Sequence, residues 1–260
     1  MNRIINFTKR NLKEVLRDPI VYIFCLAFPF VMLVLFQVIG NFTQGNTPMF
    51  NLPALIPGII MFSYTFVMLN MALIVSKDRQ TFFLKRLYSS PMKSYEFVLG
   101  YAIVGFLIGL AQTIICIISG FILAIISKVE YISIISILLL ILSQLPILIT
   151  FIFLGILFGT IFNDKSAPGL CSVLISLAGM LGGCWMPLDV MGGFETFCSY
   201  LPFYPSVYIG RIITNATKTL GDFYTFDRIA VLGVIIIGIF TLISIILSFI
   251  TFKNKMISDN

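Results

Sequence analysis

The side chains that could bind another molecule are most concentrated in residues 77–94, KDRQTFFLKRLYSSPMKS, a short segment between two long apolar runs. A single acid, Asp78, accompanies five cations and several large apolar side chains: Lys77, Arg79, Lys85, Arg86 and Lys93, with Phe82, Phe83, Leu84 and Leu87. On a helix, Phe83, Leu84 and Leu87 share one face. Such a helix is suited to binding, with its apolar face in a partner's groove or on a membrane surface and its cations at the rim.

Residues suited to catalysis or metal binding are sparse and scattered. The chain contains no histidine, which removes the commonest general base and the commonest metal ligand. Four acids lie in residues 188–228, the longest segment between predicted spans, and they form no constellation with a nucleophile: Asp189, Glu195, Asp222 and Asp227. The five cysteines lack the spacing of a metal site, although a Cys184–Cys198 disulfide stays open. A membrane enzyme acting on lipids is therefore the least favoured class.

The composition is that of a polytopic membrane protein. Of the 260 residues, 59% are hydrophobic and 11% are charged, less than half the charge of a typical soluble domain. Six apolar runs are long enough to cross a bilayer core of roughly 30 Å. They predict an all-α protein with one transmembrane domain over 1–260 and spans at 20–40, 53–76, 97–127, 132–162, 167–187 and 229–252.

The distribution of lysine and arginine predicts the orientation of these spans. If the N-terminus is cytoplasmic, thirteen of the 17 cations lie on the cytoplasmic side, and only Lys128, Arg211, Lys218 and Arg228 lie outside. This bias favours a multi-pass protein of the cell membrane with both termini in the cytoplasm. It also explains the net charge of +6 without nucleic acid as a partner.

Residues 1–19 predict an amphipathic helix ahead of the first span. At 100° per residue, the apolar side chains fall on one arc and the cations on the other. The apolar arc is Ile4, Ile5, Thr8, Leu12, Val15 and Leu16; the basic arc is Arg3, Lys9, Arg10, Lys13 and Arg17. Pro19 predicts that the helix ends near Asp18. We expect it to lie in the membrane interface with its cations facing anionic headgroups.

Residues 188–228 form the longest segment between predicted spans. The part from Phe194 to Ile213 is too apolar for a solvated loop and is interrupted by Pro202 and Pro205. A re-entrant segment between spans five and six fits this pattern, because irregular backbone is tolerated at membrane depth where protein or a wet cavity surrounds it. A cap on the outer headgroups is the alternative, and both stay open.

No charged residue lies in the middle of any predicted span. Charges inside a membrane usually mark proton relays or ion pathways, so their absence weakens a proton-coupled carrier. A self-sufficient carrier or channel would also often show internal repeats, and the two halves show no convincing one. That class remains the main alternative.

Three stretches together resemble the permeases of type-2 ABC exporters. NLKEVLRDPIVYIFCLAFPFVMLVLF resembles their connecting helix and first span. DRQTFFLKRLYSSPMKSYEFVLGY resembles their cytoplasmic coupling helix, here within residues 77–95. GLCSVLISLAGMLGGCWMPLDVMGGFETFCSYLPFYPSVY resembles their fifth span, its Trp185–Pro187 exit and the outer segment. The resemblance covers nearly the whole chain.

This resemblance implies a division of labour between subunits. A separate ATPase would bind ATP and Mg²⁺, and this chain has no GxxxxGK[S/T] phosphate loop and needs no cofactor. The implied coupling residues are Arg79, Phe82, Phe83, Leu84, Lys85, Arg86, Leu87 and Pro91. A second permease, identical or similar, would complete the path, whose candidate lining is Tyr64, Met68, Asn70, Ser172, Ser176, Met180 and Trp185. The expected cargo is apolar or amphipathic: a drug, an antimicrobial peptide or a lipid-like molecule.

Overall fold

The computed structural model describes residues 2–42, 48–81, 92–128 and 132–258. Among these residues, all regular secondary-structure elements are helices. In chain order the helices are α1 (Asn2–Val15), α2 (Pro19–Val21), a π-helical turn (Tyr22–Ala27), α3 (Phe28–Phe42), α4 (Leu52–Gln80), α5 (Ser94–Ser127), α6 (Ile134–Ile161), α7 (Ala167–Leu181), α8 (Gly193–Ser199), α9 (Phe203–Ile213) and α10 (Arg228–Ser258). Short 3-10 turns lie at Pro48–Phe50 and Leu188–Val190.

Four of the described helices are long and apolar enough to cross a membrane: α4, α5, α6 and α10. The shortest of them, α6, has 28 residues and is about 40 Å long at 1.5 Å per residue. Two shorter apolar helices accompany them, Phe28–Gly40 within α3 and the whole of α7. The chain is therefore an all-helical polytopic membrane protein.

The fifth apolar run ends as a helix earlier than its composition suggests. The run was expected to continue to residue 187, but α7 stops at Leu181. Gly183 adopts a positive φ of 64°, a conformation that glycine tolerates and that turns the chain out of the helix. Trp185 then folds back over α7, and a Cβ on Gly179 would collide with its ring.

Helix α4 lies at the centre of the bundle, with 78% of its most apolar window buried. It approaches α6 closely along Gly155 and Gly159, which form a GxxxG pair in the sequence. A Cβ on Gly159 would lie 2.6 Å from the carbonyl oxygen of Ala72, and one on Gly155 would collide with α4 near Met68. Small residues allow this backbone contact, which is the usual role of GxxxG between membrane helices.

Residues 188–228 pack against the ends of the long helices. Helix α9 contacts α4, α6 and α10, and Gly210 comes so close to α4 that a Cβ would lie 2.5 Å from Pro57 Cβ. Gln144 of α6 donates a hydrogen bond to the carbonyl of Ser206 at 2.8 Å. All five cysteines are free thiols, so the chain forms no Cys184–Cys198 bridge.

Helix α1 docks on α5 with a face that overlaps only part of the predicted apolar arc. Its buried side chains are Phe7, Thr8, Asn11 and Val15, whereas Ile5 and Leu16 are 42% and 55% exposed. The Phe7 ring fits the notch left by Gly100 and makes edge contacts with Phe97 and Tyr101 at 5.3 and 5.0 Å between centroids. Periodicity marked an amphipathic helix correctly, but it did not distinguish the arc that packs on protein from the arc left exposed.

Candidate functional site

Asp78 joins three helices at the end of the bundle that carries α1. It lies in the last turn of α4 and is only 2% exposed. Its carboxylate accepts two hydrogen bonds from the Arg10 guanidinium of α1, at 2.7 and 2.9 Å, and one from the Tyr101 hydroxyl of α5, at 2.6 Å. A bidentate arginine–carboxylate pair fixes orientation as well as charge, so α1, α4 and α5 are held in one relative position.

Further charged contacts surround this carboxylate toward solvent. Arg10 also contacts Glu14 at 2.9 Å, and Lys77 of α4 reaches Glu14 at 3.3 Å. Burial tends to lower the pKa of Arg10, but the hydrogen bonds and negative charge of Asp78 outweigh that effect, and the pKa lies above its ordinary value. Arg10 therefore belongs to this network and differs from the four exposed cations of the N-terminal segment, which are Arg3, Lys9 and Lys13 of α1 and Arg17 in the turn after it.

Arg79 holds the neighbouring side of the same helical turn. Its guanidinium donates to the carbonyl oxygens of Gly159 and Thr160 at the C-terminal end of α6. The last carbonyls of a helix have no partner inside the helix and carry partial negative charge, so a cation is favoured there. The last turn of α4 is thus attached to α1 and α5 through Asp78 and to α6 through Arg79.

The other predicted coupling residues lie outside the described residues: Phe82, Phe83, Leu84, Lys85, Arg86, Leu87 and Pro91. The description ends at Thr81 and resumes at Met92. After the segment, the N-terminus of α5 is capped, because the backbone N–H of Lys93 donates to the Glu96 carboxylate at 2.7 Å. The α4 flank of the segment is therefore attached to other helices by hydrogen bonds, and the α5 flank is capped within its own helix.

A cavity of about 730 Å³ opens between α1 and α4 beside the Asp78 network. It is lined by Arg10, Lys13, Glu14, Val15, Arg17, Asp18, Pro19, Asn70, Leu73, Ile74 and Lys77. A narrower crevice shares Asp18, Asn70 and Leu73 with it and continues to Val21, Cys25, Phe66 and Leu69. The entrance is charged and the inner end is mostly apolar.

The predicted path residues do not lie together on one surface. Tyr64 and Met68 are buried inside the bundle, where the Tyr64 hydroxyl hydrogen-bonds that of Thr113 at 2.6 Å. Asn70 borders the cavity between α1 and α4. The three α7 candidates, Ser172, Ser176 and Met180, are exposed.

Trp185 lies in an aromatic cluster that sequence reasoning missed. Its ring contacts Phe62 of α4 edge-on, with centroids 4.8 Å apart, and stacks on Phe36 of α3 at 5.9 Å. Phe66 packs on Phe28 at 4.6 Å. The spacing of Phe62, Phe66 and Asn70, four residues apart, was the available signal that they share the α4 face directed toward α3 and α7.

The opposite end of the bundle contains a buried arginine of another kind. Arg211 of α9 is 1% exposed and donates to the carbonyls of Gly183 at 2.7 Å and Ala54 at 3.2 Å, and to the Tyr224 hydroxyl at 3.3 Å. The sequence placed Arg211 among the cations of an outer loop. The structure instead shows that it connects α4, α9, the turn after α7 and the loop before α10.

Thr214 strengthens the same connection. Pro57 has no N–H, so the carbonyl of Pro53 lacks its normal donor within α4, and the Thr214 hydroxyl supplies one at 2.6 Å. No group of three or more His, Cys, Asp or Glu suited to a metal ion occurs in the part of the chain that the structure describes.

The sequence profile of the ABC-2 type transporter family matches residues 3–215, from α1 through α9. The chain belongs to the ABC-2 type transporter family. It is a transport permease, and the Asp78 network, the cavity and Arg211 with its two carbonyl partners lie within the matched region of this ABC-2 permease, whereas Tyr224 lies beyond it. A comparison with curated proteins returned no significant match.

Proposed function

We propose that this ABC-2 permease is the membrane-spanning subunit of an ATP-driven exporter and has six spans. The first span comprises α2, the π-helical turn and α3, and α7 is the fifth. The lysine and arginine bias supports an orientation in the cell membrane that places α1 and both termini in the cytoplasm. Residues 188–228 then lie on the outer side as a re-entrant segment.

A cytoplasmic ATPase subunit docks on the coupling segment, residues 77–95, and carries the ATP and Mg²⁺. The observation that supports this proposal most is the position of Asp78, four residues before Phe82. Asp78 lies in the last turn of α4, so a displacement of the coupling segment moves this carboxylate. Its hydrogen bonds then transmit the displacement to α1 through Arg10 and to α5 through Tyr101. Arg79 adds α6 through the carbonyls of Gly159 and Thr160.

A second permease chain, identical or similar, covers the exposed face of α7. Val173, Leu177 and Met180 leave an apolar surface there, while the Ser172 and Ser176 hydroxyls bond carbonyls of their own helix at 2.8 and 3.0 Å. An apolar surface with its hydroxyls already satisfied is suited to helix packing or to an apolar or amphipathic cargo. Helix α1 and the turn after it lie in the inner interface, with Ile5 and Leu16 toward the lipid and the four exposed cations toward headgroups.

Purification from native membranes in mild detergent tests this function. A soluble ATPase should copurify with the chain at one to one, and the Phe83→Ala/Arg86→Ala variant should lose it while remaining folded. The matched control is Phe197→Ala/Arg228→Ala, which removes one exposed phenylalanine and one exposed arginine at the opposite end. A chain that carries no ATPase, under conditions that preserve other membrane complexes, would contradict the exporter and favour a self-sufficient carrier.

A further inference from the structure

The cavity between α1 and α4 has the chemical profile of a site for an amphiphile with an anionic head. Lys13 and Glu14 lie three and four positions after Arg10 on α1, and Arg17 follows in the turn after this helix, so the four side chains lie on one side of the N-terminal segment. Lys77 of α4 lies on the opposite wall. The lining contains four cations and two acids, Glu14 and Asp18, so its charge is positive.

The cations of this lining are not equally available. Arg10 is held by Asp78 and Glu14, and Lys77 contacts Glu14. Lys13 and Arg17 are exposed and take part in none of the ion pairs found among the described residues. They are the two side chains able to bind an added anion without breaking an existing pair.

The inner end of the cavity is suited to a hydrocarbon chain. The crevice that continues from it is lined by Val21, Cys25, Phe66 and Leu69, with Leu73 at the junction of the two spaces. The crevice itself, at about 20 Å³, is too narrow for an acyl chain, but Leu73 and Ile74 give the main cavity an apolar wall beside Lys13 and Arg17. The main cavity, at about 730 Å³, also falls within the range of roughly 300–1,000 Å³ typical of small-molecule sites.

We propose that this cavity binds one anionic phospholipid, with its phosphate between Lys13 and Arg17 and an acyl chain lying along the apolar wall formed by Leu73 and Ile74. The site differs from a diffuse attraction of α1 to a charged membrane, because only the cations that line the cavity contribute to it. The lipid also fills the space beside the Asp78 network and so stabilises the docked position of α1.

Native mass spectrometry of the purified full-length chain tests the proposal with phosphatidylglycerol and phosphatidylcholine of equal chain length. Phosphatidylglycerol should remain bound at one per chain, and phosphatidylcholine should not. The Lys13→Gln/Arg17→Gln variant should retain phosphatidylglycerol roughly tenfold less well or worse. Each cation near an anionic headgroup strengthens binding about fivefold, and the variant removes two. The control Arg3→Gln/Lys9→Gln removes two exposed cations of the same helix outside the cavity and should change retention less than twofold.

Equal losses in the two variants, or no loss in either, would overturn the site. Displacement of the lipid by inorganic phosphate at the same concentration would show that the cavity binds only a free anion. A Leu73→Trp variant in a Trp185→Phe background locates the chain: brominated phosphatidylglycerol should quench its fluorescence, and unquenched emission would place the lipid elsewhere. None of these measurements needs an ATPase or a cargo, so their outcome is separate from that of the purification experiment.

Discussion

Each end of the bundle has an arginine that connects several elements, but the two arginines differ in partners and in burial. At the α1 end, Arg10 is paired with a buried carboxylate, and its side chain is 35% exposed. At the opposite end, Arg211 is 1% exposed and is held by two carbonyls and a tyrosine hydroxyl, with no carboxylate in an ion pair among the described residues. One contact is accessible to solvent and adjoins the coupling segment, whereas the other is closed on all sides.

This difference separates a contact that can change during a transport cycle from one that cannot. Arg10, the partly exposed partner, can exchange protein contacts for water at small cost, while the Tyr101 hydroxyl still donates to the buried Asp78 carboxylate. A fully buried guanidinium cannot leave its carbonyls without leaving charge and acceptors unpaired. We therefore expect the Arg10–Asp78 contact to affect coupling and the Arg211 contacts to affect mainly folding.

The largest effect should follow from Arg211→Met. The substitution leaves the carbonyls of Gly183 and Ala54 and the Tyr224 hydroxyl without their donor, and should lower the free energy of unfolding by roughly 3 kcal/mol. Thermal unfolding of the purified chain in detergent measures the loss.

Arg228→Met is the matched control, because Arg228 is exposed, and it should shift the midpoint little. Transport by Arg211→Met should fall only in proportion to the fraction of folded chain. A stable Arg211→Met protein that no longer transports would contradict the assignment of Arg211 to folding.

A smaller effect on stability, but a larger one on coupling, is expected from Asp78→Asn. The change removes the charge that Arg10 pairs with and should cost about 1–2 kcal/mol, reduced by the partial exposure of Arg10. ATP hydrolysis by the assembled transporter should continue while export falls several-fold more than stability predicts.

A double-mutant cycle with Arg10→Gln isolates the pair, because the second substitution should cost little once the first is made. Additive losses would mean that Asp78 acts through Tyr101 alone.

The smallest effect is a pH dependence to which a tyrosine at the opposite end contributes. Burial, and then the hydrogen bond to Asp227 at 2.5 Å, raise the pKa of Tyr208 above its ordinary value. Above about pH 10 the unfolded chain releases this proton and the folded protein keeps it, so the free energy of unfolding falls as pH rises. Tyr208→Phe should flatten this slope in alkaline unfolding curves, and Tyr200→Phe, at an exposed tyrosine, should not. An unchanged slope in Tyr208→Phe would remove Tyr208 as its source.

The patterns that depend on neighbours along the chain were readable from sequence. Hydropathy marked the apolar runs, and 100° periodicity marked α1 as amphipathic, because both properties are local to one helix. The GxxxG pair Gly155 and Gly159 was equally readable as a site of close helix approach, and was overlooked. The family assignment also follows from sequence, since three short stretches in the expected order carry it.

Tertiary structure alone decided which residues of one type differ in role. Arg10 and Lys9 are adjacent in the sequence, yet only Arg10 meets Asp78, which is 68 positions away. Arg211 and Arg228 are both cations of the outer segment, yet only Arg211 is enclosed. Tyr64 and Met68 were predicted as path residues, and only the packed bundle shows that both are buried inside it. Composition determined that these segments are helical and apolar. The burial and pairing of each side chain depend on which distant helix packs against it, and only the tertiary structure shows which helix that is.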